Sequence, residues 1–420
     1  MNKTFLSLLS IIIIVFIGFS CQVAEPNNDQ SLRITVEDAS CTEAWIKISA
    51  MGIDADKQLM LYRNNVFLTA FTMDRTDTLI FDEGLLPSKT YNYKAKLGGF
   101  TAIADVVTMD TTSHDFAWET FTFGGNGGSS YLKDVAIIDE NNIWAVGEIY
   151  DNGEKYNAVH WDGSKWELRK MSSSQYVSPI NTIWAFGKED IWFDGVIKWN
   201  GKVLSVHMNN FPLLPNGDGW RVNAMWGTTS EDFYVVGNNG NIAHYDGSPS
   251  GTGWKKIESG TSTDINDIWG IANKFTKQVE IYCAVSEFFE PKDKKILRIS
   301  FNNKVDSIPW GPDRYVVTVW TATGFPIYAG GDGIFVNKRN EWKEVNLGVN
   351  YMSNQIRGYK LNDVFVVGHF GLFAHFNGST WKVYKEVYNA IYGSLSVKNN
   401  LIVAVGERNG KGVITIGRRN

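Results

Sequence analysis

An all-β chain dominated by one repeated unit is what this sequence predicts, and three observations carry that expectation. Seven times between about Asp115 and the C-terminus a short apolar strand is followed by a polar turn and a second apolar run, which ends at Gly147, Gly195, Gly237, Ser286 (in place of glycine), Gly330, Gly368 and Gly406. The intervals are therefore 48, 42, 49, 44, 38 and 38 residues. An aromatic-Asx element comes next, as Trp161-Asp-Gly, Trp199-Asn-Gly, Tyr245-Asp-Gly, Phe301-Asn-Asn and Phe376-Asn-Gly. Asp-Gly and Asn-Gly supply the positive φ of a tight hairpin, so these mark the turn from third to fourth strand. A tryptophan then opens the fourth strand as Trp166, Trp254, Trp342 and Trp381. Four short strands at a period near 40 are the spacing of a propeller blade, and seven such units predict a seven-bladed β-propeller over residues 115–420.

From the N-terminus, residues 1–20 carry Lys3 and the apolar stretch from Phe5 to Phe19. A basic residue and about fifteen mostly apolar ones are the features of a signal peptide, too short for a comfortable membrane span. Gly18-Phe-Ser-Cys21 resembles a bacterial lipobox. That resemblance implies that Cys21 is lipidated and becomes the mature N-terminus of a lipoprotein of the cell envelope, at the outer membrane; simple cleavage or an uncleaved anchor is the alternative. Residues 21–30 then act as a tether of at most about 30 Å.

Residues 31–110 read differently, with longer alternating strands such as Ala44-Trp-Ile-Lys-Ile-Ser-Ala50 and Tyr91-Asn-Tyr-Lys-Ala95. About six or seven strands in eighty residues predict a β-sandwich. Leu85-Leu-Pro87-Ser-Lys-Thr-Tyr91-Asn-Tyr93 resembles the corner of fibronectin type III domains, which implies that Tyr91 bonds back to the preceding backbone. The expected role of this domain is a spacer.

Within the propeller, the seventh unit lacks its fourth strand because the chain stops at Asn420, while Phe116-Ala-Trp118-Glu-Thr-Phe121 has that pattern with no first three strands of its own. This strand is expected to close the last blade and remove open sheet edges. Trp184, Trp226, Trp269 and Trp320, with Tyr359 in the next unit, share one place on successive first strands and read as inter-blade core. His160, His244 and His375 share another place, in three different blades, and read as structural.

The net charge of −5 with no basic run excludes nucleic acid as partner. With Cys21 lipidated, Cys41 and Cys283 lie in different domains, and two buried free thiols are expected because a disulfide needs Cα atoms within about 7 Å. No metal motif, nucleophile elbow, phosphate loop or cofactor fingerprint is found, so no cofactor is expected.

The repeats also resemble bacterial surface repeats of the form Trp-Gly…Val-Gly…Tyr-Asp-Gly…Trp, a group mostly of unknown activity. Function is expected on the face carrying the turns from second to third strand and the blade-to-blade loops. The first set places Glu148, Asp194, Asn238, Glu287, Asp332, His369 and Glu407 near the mouth of a central funnel; the second places Tyr131, Tyr176, Trp220, Trp310, Tyr351 and Tyr388 at blade junctions. An aromatic collar around a carboxylate-rich pocket suits a sugar, whose apolar face stacks while its hydroxyls bond to carboxylates and amides. Alternatively the rings merely seal the cores at the blade tops. The expectation is a monomeric, non-catalytic module binding glycan or another extracellular partner, with a glycosidase using two funnel carboxylates or a protein-binding scaffold as alternatives.

Overall fold

The computed structural model describes residues 30–420 apart from 54–56, 74–75, 173–175, 215–216, 218, 248–252, 273–277, 288–292 and 339–340. The signal segment, Cys21 and the tether up to residue 29 lie outside the described residues. Among the described residues regular structure is strand, apart from three single-turn 3-10 segments. Two compact units divide the chain: one holds residues up to Asp38 with Trp45–Asp82 and Thr90–Val106, the other holds Ala39–Ala44, Glu83–Lys89 and Val107–Asn420. Cys41 and Cys283 are buried free thiols.

The first unit is built from β1 (Ser31–Ala39), β2 (Glu43–Met51), β3 (Gln58–Arg63), β4 (Val66–Thr72), β5 (Asp77–Glu83), β6 (Thr90–Leu97) and β7 (Phe100–Val107). They form two sheets, in the orders β1-β2-β5 and β4-β3-β6-β7. The alternation of Leu59 and Leu61 on β3 with Tyr93 and Ala95 on β6 buries one face of the second sheet, all four being fully buried. Tyr93 is the buried ring on β6 and donates its hydroxyl to Asp82, whose two carboxylate oxygens also take 3.0 Å bonds from Arg63. Tyr91 is only partly buried, with the Arg63 guanidinium 5.8 Å from its ring centre.

Among the described residues the second unit contains seven four-stranded antiparallel sheets. The first six each use four consecutive strands, beginning at Tyr131–Asp139, Ile183–Gly187, Val222–Thr229, Ile265–Ala272, Val316–Trp320 and Ser353–Lys360. The seventh is made of Ile391–Lys398, Leu401–Arg408, Lys411–Arg419 and β8 (Phe116–Phe123), so the strand around Trp118 supplies its fourth member. The register runs antiparallel from Gly412 opposite Phe123 to Arg419 opposite Phe116. Gly417 makes the pairing possible, since a Cβ there would sit 2.3 Å from the Trp118 ring.

Apolar clusters lie between successive sheets, and the series returns to its start. Leu132, Val135 and Ile143 of the first sheet share a core with Val403, Ile414 and Ile416 of the seventh. The glycines that end the second strands are explained by close backbone approach: a Cβ on Gly237 would lie 2.0 Å from the Arg221 carbonyl oxygen, and one on Gly368 would lie 1.9 Å from that of Met352. At Gly147, Gly237, Gly368 and Gly406 the second strand thus presses against the start of its own first strand, whereas Gly195 and Gly330 face side chains of the next sheet, Val235 and Ser353.

The closing strand is fixed at its entry by a buried polar cluster. His114 Nδ1 lies 2.8 Å from His375 Nδ1, and His375 Nε2 lies 2.9 Å from Asp363, which also pairs with Arg419 on the strand that β8 joins. The Tyr384 hydroxyl donates to the His114 carbonyl at 3.0 Å, and Lys382 stands close by. Burial, followed by the facing His375, pushes the His114 pKa down to about 4, and burial also lowers that of His375 despite Asp363. Both rings are thus neutral in the folded state and take up protons more readily when unfolded, so stability rises with pH between about 4 and the ordinary histidine value near 6.5. Calorimetry from pH 7 to pH 4 should show the melting temperature falling, and His114→Gln should flatten that fall; an unchanged slope in the variant would exclude this pair as its source.

Candidate functional site

The first strands of the seven sheets enclose a polar cavity of about 290 Å³. At one aligned position they present Asp134, Thr182, Ala224, Asp267, Thr318, Gln355 and Ser394. Several of these accept a backbone N–H from the neighbouring sheet: Ile183 to Asp134 at 2.9 Å, Val319 to Asp267 at 3.0 Å, Ile356 to Thr318 at 3.1 Å and Leu395 to Gln355 at 2.5 Å. Asp267 also forms a buried ion pair with Arg357, at 2.6 and 2.9 Å. Asp134 has neutral donors instead, the hydroxyls of Ser394 at 2.6 Å and Thr182 at 3.0 Å together with the amides of Val135 and Ile183. Burial pushes its pKa up against those donors. The rings of Trp184 and Trp269 meet at 6.2 Å in this cavity, with the Arg357 guanidinium 4.9 Å from Trp269. These two tryptophans are partly exposed and Tyr359 is exposed, which corrects the expectation of core for them; Trp226 and Trp320 are buried between sheets as expected.

None of the polar residues expected at the funnel lines this cavity. Their side chains are spent elsewhere. Glu148 is held by Lys155 at 2.5 Å and by the hydroxyls of Tyr150 at 2.7 Å and Tyr131 at 2.8 Å. Burial alone would raise its pKa, but the ion pair and the two tyrosines outweigh it and hold the carboxyl below its usual value. Asp194 sits at φ +46° and accepts the amides of Asn181 and Thr182, with burial raising its pKa to about 6. Asn238 accepts the Arg221 amide at 2.9 Å. Glu287 is exposed, Glu407 is partly exposed, and Asp332 lines a separate cleft of about 600 Å³ with Arg314, Asn346, Asn350 and Tyr351. The carboxylates therefore do not converge on one cavity, and the two that line it, Asp134 and Asp267, occupy a position whose residue type varies too much along the sequence to stand out.

The aromatic collar also separates into two kinds. Trp220 is 6% exposed, stacks on Phe211 at 5.2 Å and donates its ring N–H to the Pro212 carbonyl. Trp310 is equally buried, packs on Trp342 at 4.7 Å and donates to the Arg314 carbonyl. These two are core, which corrects the expectation that they are open to a ligand. Tyr131 is partly buried, and Tyr176 is exposed.

Tyr351 and Tyr388 are open, at 40% and 38%, and between them along the chain stands an open residue that no sequence pattern singles out. Phe370, beside His369 in the turn from second to third strand of the sixth sheet, is 68% exposed at φ +53°. The corresponding turn of the third sheet places Asn239 there, at φ +56°. Asparagine tolerates the left-handed region, whereas a bulky ring in it costs about 1–3 kcal/mol. Phe370 contacts Tyr351, ring centres 5.5 Å apart, and the His369 ring lies 6.3 Å away with its pKa lowered by burial. The next residue, Gly371, donates its amide to the Ala390 carbonyl, which joins this turn to the loop carrying Tyr388 and the exposed Ile391. Asp332, Tyr351, Phe370 and Tyr388 thus follow one another along the loops of the fifth to seventh sheets. Among the described residues no group of His, Cys, Asp or Glu is placed to hold a metal ion.

No protein-family model matches the chain, and no curated protein matches it. Solved structures do. YCF48 bound to D1 peptide superposes with a TM-score of 0.54 at 14% identity, over 74% of this chain and 100% of that one. A catalytically inactive virginiamycin B lyase from Staphylococcus aureus with quinupristin gives 0.53 at 11%, over 71% and 99%. The extracellular domain of the putative one-component system BT4673 from B. thetaiotaomicron gives 0.51 at 10%, over 92% of this chain and 58% of that one. At these identities the likeness is one of fold, a β-propeller.

The division of the collar is open to measurement by chemical denaturation. Trp220→Ala and Trp310→Ala should each lose about 3–5 kcal/mol, as core aromatic truncations do. Tyr351→Ala should remain within about 1 kcal/mol of the parent, because its ring is open. Equal losses for all three would place Tyr351 in the core.

Proposed function

We propose that this chain is a lipid-anchored binding protein of the cell envelope, at the outer membrane, in which a fibronectin type III-like spacer carries a seven-bladed propeller that binds glycan on its loop face. The three-plus-four strand order of the first unit is the arrangement expected of a fibronectin type III-like sandwich, and the seven four-stranded sheets with cores between successive members support the blade count.

The observation that carries the binding reading is Phe370. A phenylalanine held in a conformation that favours glycine or asparagine, and open to solvent, costs stability twice over, so a benefit elsewhere is needed to account for it. With Tyr351 and Tyr388 it offers rings on which the apolar face of a sugar stacks, while Asp332, Asn346 and Asn350 of the adjoining cleft accept and donate bonds to hydroxyls. A non-catalytic role fits the dispersal of the loop carboxylates, since hydrolysis of a glycosidic bond requires two of them about 5–10 Å apart across the bond, and fits the engagement of Asp134 and Asp267, which share a cavity, by Ser394, Thr182 and Arg357.

Phe370→Asn separates binding from packing, because asparagine suits the backbone. The variant should melt at or above the parent temperature and lose retention on a polysaccharide panel, while reducing-end release stays at background for both proteins. A variant that binds like the parent would remove the platform, and release of reducing ends by the parent would replace a binding module with an enzyme. For the anchor, Cys21→Ala should abolish lipid labelling and move the protein from the membrane to the soluble fraction; unchanged fractionation would rule out lipidation at Cys21.

A further inference from the structure

Resting on the glycan reading, the geometry points to the chemical class of the ligand: we infer that the platform takes an acidic polysaccharide, whose carboxylate pairs with Arg408. Arg408 and Lys411 flank the hairpin turn Asn409-Gly410 at the tip of the seventh sheet, where both turn residues have positive φ, as a tight two-residue hairpin requires. They are directly paired across the strands. Two cations opposite one another repel and destabilise a sheet unless an anion lies between them. Among the described residues neither has a carboxylate partner. Every other described arginine of the second unit has one within 4 Å, from the exposed Arg169 with Glu167 to the buried Arg357 with Asp267. In a chain with a net charge of −5, an arginine facing a second cation with no carboxylate beside it is the exception that needs a reason.

The pair also stands where the platform leads. The Arg408 guanidinium lies 4.6 Å from the centre of the Tyr388 ring. Stacking on an aromatic face leaves the edge of the guanidinium, with its parallel N–H groups, available to a planar acceptor. Tyr388 lies on the loop that the Phe370 turn contacts through Gly371 and Ala390. One ligand can therefore lay a sugar ring over Phe370 and Tyr351 and present an anionic group beyond Tyr388. A uronate carboxylate is planar and matches the guanidinium with two parallel bonds, whereas a neutral sugar leaves both cations unpaired. The short run of rings, interrupted by polar turns, favours a glycan chain over the broad apolar face of a protein partner.

The test uses the full chain in affinity electrophoresis against matched pairs: polygalacturonate with its methyl ester, and alginate with its propylene glycol ester. At least one acid form should be retained at least tenfold more strongly than its ester, with retention falling as sodium chloride rises from 50 to 500 mM. Arg408→Gln should reduce retention on the acid form to that on the ester, Arg408→Lys should restore part of it, and Phe370→Asn should abolish both. Equal retention of acid and ester, with Arg408→Gln unchanged, would overturn the acidic class while leaving the glycan reading intact. No retention on any of the four polymers by the parent would overturn this inference, and failure on neutral polysaccharides as well would overturn the glycan reading with it. Capture of an acidic peptide such as polyglutamate through Arg408, without any glycan, would reassign the strip to a protein ligand.

Discussion

The ring of acceptors on the inner strands is the constraint on which the second unit depends. Apolar contact between neighbouring sheets is non-directional, so it favours burial without fixing how far one inner strand slides past the next. A side-chain oxygen that must receive the adjacent strand's N–H does fix it, and Asp134, Asp267, Thr318 and Gln355 do this at one aligned position. The requirement is strictest at the buried Asp267 and Thr318, where an unmade bond costs its full desolvation, about 1–3 kcal/mol. Asp267 shows how the charge is managed. Its carboxylate is neutralised by Arg357, which comes from two sheets further on and so ties the fourth sheet to the sixth across the cavity. Removing one member of such a pair leaves an uncompensated buried charge, which makes the two residues interdependent in any variation of this ring.

Much of this architecture was legible in the sequence for a simple reason. A repeat forces the same packing problem on each unit, and the same residue types recur as its solution. The glycines ending the second strands were visible as a period, but their cause was not: the close approach of Gly237 to the Arg221 carbonyl is a property of two strands brought together by the fold. The fourth strand of the seventh sheet could be found because Phe116 to Phe121 has an alternating pattern without neighbours of its own. The inner ring has no visible period because its acceptors, aspartate, threonine and glutamine, share a function and not a chemical type, and Ala224 interrupts them with no acceptor at all.

Site residues were harder to read, for reasons that individual residues make clear. Trp220 and Tyr351 occupy the same kind of junction, yet one is buried and the other open. What separates them is not the ring but the loop before it: Phe211 stacks on Trp220 and the Pro212 carbonyl takes its N–H, whereas the ring that Tyr351 meets, Phe370, is itself exposed. Loop length and conformation decide this, and neither follows a period. The carboxylates show the complementary failure. Their positions at the strand ends were found, but Glu148 had a lysine and two tyrosines waiting for it that no spacing rule reveals.

Phe370 illustrates where physical reading adds most. His369 stands out in the sequence as a polar residue at a strand end, whereas no pattern singles out the phenylalanine after it. The signal lies in the comparison between units: the same turn in the third sheet has Asn239, the residue that the left-handed backbone favours, and the sixth sheet departs from it toward a residue that is worse for folding. The basic pair at the hairpin tip is a second departure of the same kind, since an Asn-Gly turn is well formed with almost any flanking residues and gains nothing from two adjacent cations. Local choices that oppose stability are expected where a surface answers to something outside the chain. Here the two departures lie on adjacent loops, joined through Tyr388, and their chemistries complement one another: an apolar ring face and an unpaired cation are together what an anionic sugar presents a match for, and neither alone distinguishes such a ligand from a neutral one.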